Sequence, residues 1–457
     1  MTSGRPLSFP VPDWPQPVLK AIAVLEGKGY ECYAVGGCVR DAALGETPHD
    51  WDLTTSALPE EISAAFSGLS QNLAGAKHGT VGVLVDGQML EMTTYRVDGS
   101  YTDSRHPDGV AFTRSLKEDL ARRDFTINAM ALHPENGLFD PYGGIDDLQN
   151  GILRAVGDPL RRMQEDALRI LRGLRFMSRL RFHPDEATEA AFFQCAPLLQ
   201  KISNERVYVE LTGLLMGAGV REVLTRYSEV IGTVLPEILP CCGFDQYTRY
   251  HLYDVWGHTA AAVEAVRTEP LLRWVMLLHD IGKPGRFIPD EAGVGHFKGH
   301  AALSAAMAER ILRRMTMPAK MIKDAIPLIR WHDAKVTADP VSIRRWMAML
   351  GEEQLLRLLE VKRADNLAQN RAVSDRQPEI EEIRQRALAV IAEHPCLSLG
   401  ELAVGGKDLA KLGIKNGPEL GRILNLLLDR VIGGELPNDR EALMDEAEKL
   451  VTRFSDC

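Results

Sequence analysis

Apolar residues recur at three- and four-residue intervals through Val18, Ile22 and Leu25, and the run stops at Gly27 and Gly29 before the extended segment YECYAV. The pattern predicts a helix followed by a strand. Further on, GTVGVLVDGQMLEMTTYR (79–96) alternates apolar and polar positions on either side of Asp86-Gly87. Both central residues of a type I′ turn need positive φ, so Asp-Gly predicts a two-stranded hairpin there. From about Gly157 the spacing of Leu, Ala, Arg and Glu becomes helical almost to the end, with short Pro or Gly interruptions. An α/β head on a long, mostly helical body is expected.

Composition narrows the class. The chain has 457 residues, 45% of them hydrophobic and 25% charged, which are globular proportions with room for about three domains. No window approaches the roughly 20 apolar residues of a membrane-spanning helix, and the N-terminal stretch has no apolar core after a basic start, so no membrane and a cytoplasmic location are expected. Seven cysteines without a CxxC pair argue against a disulfide framework or a Cys-rich zinc module. The net charge of −10 rules out a generic polyanion binder. One zone differs: between Gly151 and Phe182 stand eight arginines against Asp158, Glu165 and Asp166.

In YAVGGCVRDAALGETPHDWDL (33–53) a strand runs into Gly36-Gly37, a helix follows, and Asp50 and Asp52 come about ten residues later. Paired glycines let backbone N–H groups approach a phosphate. In an extended segment i and i+2 share a face, so Asp50 and Asp52 converge while Trp51 and Leu53 turn to the core. The hairpin adds Glu91, alternating with Leu90 and Met92, to make an acidic trio. Close carboxylates with oxygen-only ligation suit Mg²⁺, and two such ions steady an in-line displacement at phosphorus.

GGCVRD with HDWD, then RRDFTINAMAL, then EDALRILRGLRF resemble the successive motifs of the bacterial-type (class II) tRNA nucleotidyltransferases, the CCA-adding enzymes, across roughly residues 30 to 212. The resemblance implies a polymerase β-like nucleotidyltransferase head, a mixed sheet with helices, over 1–155, and a helical neck for nucleobase selection and RNA binding over 156–235. It implies CTP and ATP as nucleotides, tRNA lacking a complete CCA end as partner, and Asp50, Asp52 and Glu91 as the catalytic carboxylates. Gly36, Gly37, Arg40, Arg122, Arg123, Asp124 and Asn128 are then expected at the nucleotide, the guanidiniums forking onto triphosphate oxygens and the polar side chains holding the ribose. Asp166 and Arg169, three apart on a helix, are expected on one face. A carboxylate accepts from an exocyclic amine and a guanidinium donates to ring acceptors, so the pair reads cytosine or adenine and rejects uracil and guanine. Arg172 and Arg175 are also expected at the nucleotide; with Arg179 they either meet the RNA backbone or form a solvated face. The polar stretch DGSYTDSRHPDGVAFTR (98–114), too long for a tight turn, resembles the family's flexible loop through Asp103, Arg105 and Pro107, which implies complete CCA addition. In ISNERVYVEL (202–211), Ser203 is expected to cap a helix of structural importance.

LLRWVMLLHDIGKP places His279-Asp280 at the end of an apolar helix and resembles the HD phosphohydrolase superfamily. That likeness implies an HD domain over 236–370, with His258, His279, Asp280 and Asp365 as metal ligands and His300 and His332 available to a second ion. Imidazole with carboxylate suits Mn²⁺, Fe²⁺, Ni²⁺ or Co²⁺ as well as Mg²⁺. Residues 371–457 read as a helical tail without a chemical motif. Besides CCA addition, two other enzymes fit: a poly(A) polymerase of the same fold, and an HD phosphohydrolase with a regulatory head. A tRNA-binding protein without chemistry is disfavoured by the intact acidic and basic motif residues.

Overall fold

Helix α1 (Gln16–Glu26) buries Val18, Ala21, Ile22 and Leu25, the stripe its spacing predicts, and the chain turns at Gly29 (φ +88°) into strand β1 (Cys32–Val35). The computed structural model describes residues 13–48, 50–98, 110–413 and 417–455. They divide into a first unit ending at Pro236 and a second starting at Glu237. Among them no helix is long and apolar enough to cross a membrane.

In the first unit β1 is followed by α2 (Gly37–Ala43), β2 (Asp52–Thr55), α3 (Pro59–Ala65), β3 (Gln71–Asn72), and the hairpin β4 (Thr80–Val85) and β5 (Gln88–Thr94). Asp86 (φ +47°) and Gly87 (φ +86°) make its two-residue turn, as expected. After β6 (Arg96–Asp98), β7 (Val110–Phe112) and α4 (Leu116–Ala121) come β8 (Ala131–His133), β9 (Gly137–Phe139) and α5 (Gly144–Gln149). The main sheet runs β3-β4-β5-β2-β1-β8-β9, antiparallel except for β2 beside β5. That parallel pair sets Asp52 directly opposite Glu91 and Leu53 opposite Met92. Aligned residues of parallel strands point to the same face, so one face of this pair is acidic and the other apolar. The stretch 98–114 is not all loop: β6 and β7 pair antiparallel, Arg96 with Phe112 and Asp98 with Val110. Asp103, Arg105 and Pro107 lie outside the described residues.

The rest of this unit is helical: α6 (Pro159–Glu165), α7 (Leu168–Leu180), α8 (Glu186–Cys195), α9 (Asn204–Leu215), α10 (Val220–Arg226) and α11 (Ser228–Gly232). Phe125 joins it to the head, edge-on to Phe176 of α7 (5.9 Å) and to Phe192 of α8 (6.3 Å). Ser203 stands at the N-cap of α9, but its side chain makes no capping bond there, contrary to expectation. α7 and the segment after α9 touch at backbone distance. A Cβ on Gly217 would lie 2.4 Å from the carbonyl carbon of Ser178 and 2.2 Å from its Oγ. Gly217→Ala is therefore expected to destabilise the chain by about 1–3 kcal/mol in denaturant unfolding, since backbone cannot step aside as a side chain can; an unchanged midpoint would refute the close approach.

The second unit holds α12 (Val255–Ala265), α13 (Pro270–Leu278), α14 (His300–Arg314), α15 (Ala319–Trp331), α16 (Pro340–Leu350), α17 (Glu352–Leu367) and α18 (Gln377–Ala392). Asp254 caps α12 by accepting from Gly257 N at 2.7 Å. α13 is buried along its whole length from Leu271 to Leu278, so its C-terminal His279-Asp280 is delivered into the interior of this unit. Toward the C-terminus, Leu402, Val404, Leu409, Ile423, Leu427, Leu443, Ala447 and Leu450 form an apolar cluster of their own.

Candidate active site

A cleft of about 500 Å³ opens in the first unit, and its walls carry Gly36, Gly37, Arg40, Asp52, Arg122, Arg123, Asp124, Asn128, Asp166, Arg169, Arg172 and Arg175. These motif residues are scattered over 140 positions of sequence and share one cavity. The positive φ of Gly36 (+75°) favours glycine, and a Cβ there would stand 3.0 Å from Arg123 Nη1, which would have to give way slightly. Asp52 opens toward the cleft, and burial together with the nearby Glu91 pushes its carboxyl above the usual range, Asp50 adding to the effect. Crowded like charges of this kind fit a divalent cation, which would relieve the repulsion.

The basic wall is braced from behind. Fully buried Asp119 sits 2.9 Å from Arg122 Nη2 and 3.7 Å from Arg123 Nη2. Asp124 Oδ2 takes both Nε (2.8 Å) and Nη2 (2.7 Å) of Arg172, and its Oδ1 accepts from Phe125 N at 2.9 Å. Burial would raise this carboxyl, but the Arg172 guanidinium overcomes it and holds the pKa at about 2. Asp124 thus fixes Arg172 at the cleft wall. Arg175 Nε lies 3.1 Å from Glu210 Oε2, and Arg172 Nη1 lies 3.9 Å from Oε1. Neither arginine is on a freely solvated face; both are held in the cleft wall by acids from other elements. Phe176 gathers three guanidiniums about its ring, with Arg40, Arg172 and Arg175 at 5.4, 5.8 and 5.2 Å from the centroid.

The expectation that Asp166 and Arg169 share a continuous helix face is corrected. α6 ends at Glu165, Asp166 is extended (φ −143°, ψ 104°), and α7 starts at Leu168. The break has a local cause: Asp166 Oδ1 accepts from Leu168 N at 3.0 Å, an aspartate turning back on its own chain. Both side chains still reach the cleft, each held by a partner. Arg206 Nη2 donates to Asp166 Oδ2 at 2.9 Å. Arg169 Nη1 donates to Glu165 Oε2 (2.8 Å) and Arg162 O (2.9 Å), and Nη2 to Arg122 O (3.1 Å).

Asp119, Phe176, Arg206 and Glu210 are therefore site residues that sequence reasoning missed. One signal was available: Arg206 and Glu210 are four apart in NERVYVEL, a polar pair on one face of α9.

The second unit holds a separate constellation. His258, His279, Asp280 and Asp365 bring one ligand atom each within 4.8 Å of one another, and so do Asp280, His300 and His332. Backbone carbonyls fix the imidazoles. Nδ1 faces Met276 O from His279 (2.7 Å), Phe297 O from His300 (2.9 Å), Ile329 O from His332 (2.8 Å) and Ala368 O from His258 (3.4 Å). A carbonyl only accepts, so each of these Nδ1 atoms is the donor and each Nε2 is turned inward, His258 Nε2 to within 2.9 Å of Asp365 Oδ1 and the Nε2 atoms of His300 and His332 to within 3.1 Å of each other. Around Asp280 those nitrogens stand at 3.2 Å (His279), 3.5 Å (His258), 3.2 Å (His300) and 3.5 Å (His332). His279 Nε2 and Asp280 Oδ1 are buried without a hydrogen-bond partner. Imidazole nitrogens converging with carboxylate oxygens in this way fit a cation site by the chemistry of the donor set. A cavity of about 500 Å³ reaches it, bordered by Tyr250, His251, Lys283, Phe297, Lys298 and Asp333.

The Poly A polymerase head domain family matches residues 32–154, and the family of tRNA nucleotidyltransferase domain 2 matches residues 297–447. The CCA-adding enzyme of Levilactobacillus brevis is 36% identical over 430 residues, 94% of this chain and 96% of that protein. The CCA-adding enzyme of Enterococcus faecalis is 34% identical over 441 residues, 95% of either chain. Among solved structures, the Bacillus stearothermophilus CCA-adding enzyme in complex with CTP superposes with a TM-score of 0.74 at 31% identity, covering 97% of this chain and all of the other. These likenesses run nearly the length of the chain, and the chain belongs to the CCA-adding enzyme family of tRNA nucleotidyltransferases.

Proposed function

We propose that the chain builds or repairs the CCA 3′ end of tRNA from CTP and ATP without a nucleic-acid template. One observation carries this reading: Asp52, opposite Glu91 in the parallel strand pair, borders an arginine-lined cleft whose wall presents Asp166 and Arg169. Asp50, Asp52 and Glu91 would hold Mg²⁺. When bound, the ion supplies positive charge to the phosphoryl group in transfer and to the departing pyrophosphate. The chain's own residues do the rest. Gly36 and Gly37 leave room for phosphate against the backbone, and Arg40, Arg123, Arg172 and Arg175 offset its charge. Asp166 accepts from cytosine N4 or adenine N6, while Arg169, anchored through Nη1, has a second Nη2 hydrogen for the adjacent ring acceptor. Uracil and guanine would set a carbonyl against the Asp166 carboxylate.

The test is incubation with tRNA lacking CCA and labelled CTP or ATP. Sequential incorporation of C, C and A is expected; a chain that takes ATP alone would be a poly(A) polymerase, and one that takes neither would overturn the assignment. A cytoplasmic setting suits an enzyme whose described cysteines are all free thiols.

A second reading belongs to the second unit. The inward imidazoles and Asp280 support an HD-type phosphohydrolase acting on phosphate esters at RNA ends or on nucleotides. His258, His279, Asp280 and Asp365 would hold one divalent cation, which when bound supplies Lewis acidity at phosphorus; His300 and His332 would serve a second with Asp280.

A further inference from the structure

His251 lies just before α12, its ring edge-on to that of His258 with centroids 5.2 Å apart. Both its ring nitrogens are buried without a hydrogen-bond partner. The four inward-facing histidines each spend Nδ1 on a backbone carbonyl; His251 does not, and it belongs to neither convergent ligand group. It is therefore unlike a metal ligand in the feature that orients the others. A neutral imidazole offers one donor and one acceptor, and leaving both unmet in a buried position is unfavourable unless something enters to meet them.

His251 borders the same cavity as Lys283 and Lys298, with the aromatic rings of Tyr250 and Phe297 on its walls. Lys283 Nζ stands 2.6 Å from Asp280 Oδ2 and donates to Gln246 Oε1 at 2.8 Å, so one cation is already fixed beside the carboxylates. A phosphate ester fits this set. It carries several acceptor oxygens, a dianionic head suited to two lysines, and an organic portion suited to aromatic walls. We propose that His251 is a ligand-contacting residue of this second centre, binding a phosphoryl oxygen of a phosphate ester and not the metal. The inference deepens the phosphohydrolase reading and rests on it.

The test uses full-length protein carrying Asp52→Asn, so that only the second unit's metal counts, stripped by chelation and reloaded with Mn²⁺. Metal content and binding of inorganic phosphate, followed by the broadening of its phosphorus NMR signal near Mn²⁺, are compared with His251→Phe, His251→Ala and His258→Ala added. His251→Phe keeps the ring and removes both nitrogens; His251→Ala serves if the phenyl ring is not accommodated. Expected are unchanged Mn²⁺ content and phosphate binding weaker by roughly tenfold or more for the His251 variants. His258→Ala is expected to lose the metal itself. Phosphate binding indifferent to His251, or loss of Mn²⁺ from the His251 variants, overturns the proposal alone. A protein that takes up no Mn²⁺ before any histidine is changed overturns the phosphohydrolase reading and the proposal with it.

Discussion

Asp52→Asn lowers CTP incorporation by roughly a thousandfold or more while the chain stays folded. The size follows from position. Asp52 is exposed to the cleft at the first residue of β2, opposite Glu91, and its neighbour Leu53 carries the packing on the other face, 1% exposed. Removing the charge leaves the core untouched and, on the proposed reading, removes an oxygen ligand of the cation. Burial and Glu91 already push the Asp52 carboxyl upward, which means that its ionised form is disfavoured in the fold. Taking that charge away should leave the melting temperature of chelator-treated protein unchanged or slightly raised. Single-turnover extension of tRNA lacking CCA, beside thermal melts in chelator, checks both parts. Activity within tenfold of the parent chain would remove Asp52 from the reaction, and a collapsed melt would make its role structural.

Why Asp52 was legible in the chain and other site residues were not has a physical explanation. The acidic pair, the Asp86-Gly87 hairpin and the Gly36-Gly37 turn depend on alternation and on φ preferences within a few residues, so their signals are local. His279-Asp280 can be placed at the end of an apolar helix from the run Leu271 to Leu278, whereas His258, His300 and His332 are legible only through the likeness to the HD superfamily. The braces are different. Asp119 behind Arg122 and Arg123 looks like an ordinary surface acid of a short helix until its complete burial is seen. Glu210 under Arg175, and Arg206 on Asp166, join residues 35 and 40 positions apart. Such pairings are set by how α7 and α9 pack, which no periodicity in either helix states. The break between α6 and α7 was hidden because Glu, Asp, Ala and Leu continue a helical composition across it. Only the Asp166 side chain, bonding to Leu168 N, shows the competition between cap and helix.

Arg169→Ala should cut kcat/KM for CTP and ATP alike, by roughly 10- to 100-fold, because one side chain serves both bases through the same edge. Asp166→Ala should do something further: with no acceptor for the exocyclic amine, and no carboxylate to repel the carbonyl of uracil, the preference for CTP over UTP should fall by roughly 10- to 100-fold. The bracing separates selection from mere positioning. Arg206 holds Asp166 at 2.9 Å but is not assigned to the base, so Arg206→Ala should raise KM for both nucleotides while keeping most of the bias against UTP. Glu165→Gln should behave likewise for Arg169, which would keep its bonds to the Arg162 and Arg122 carbonyls. Competition assays with paired nucleotides, CTP against UTP and ATP against GTP, read these ratios directly. If Arg206→Ala relaxed selectivity as far as Asp166→Ala, the reader of the base would be the ion pair as a unit. If Asp166→Ala left the ratios where they were, discrimination would have to come from the shape of the cleft.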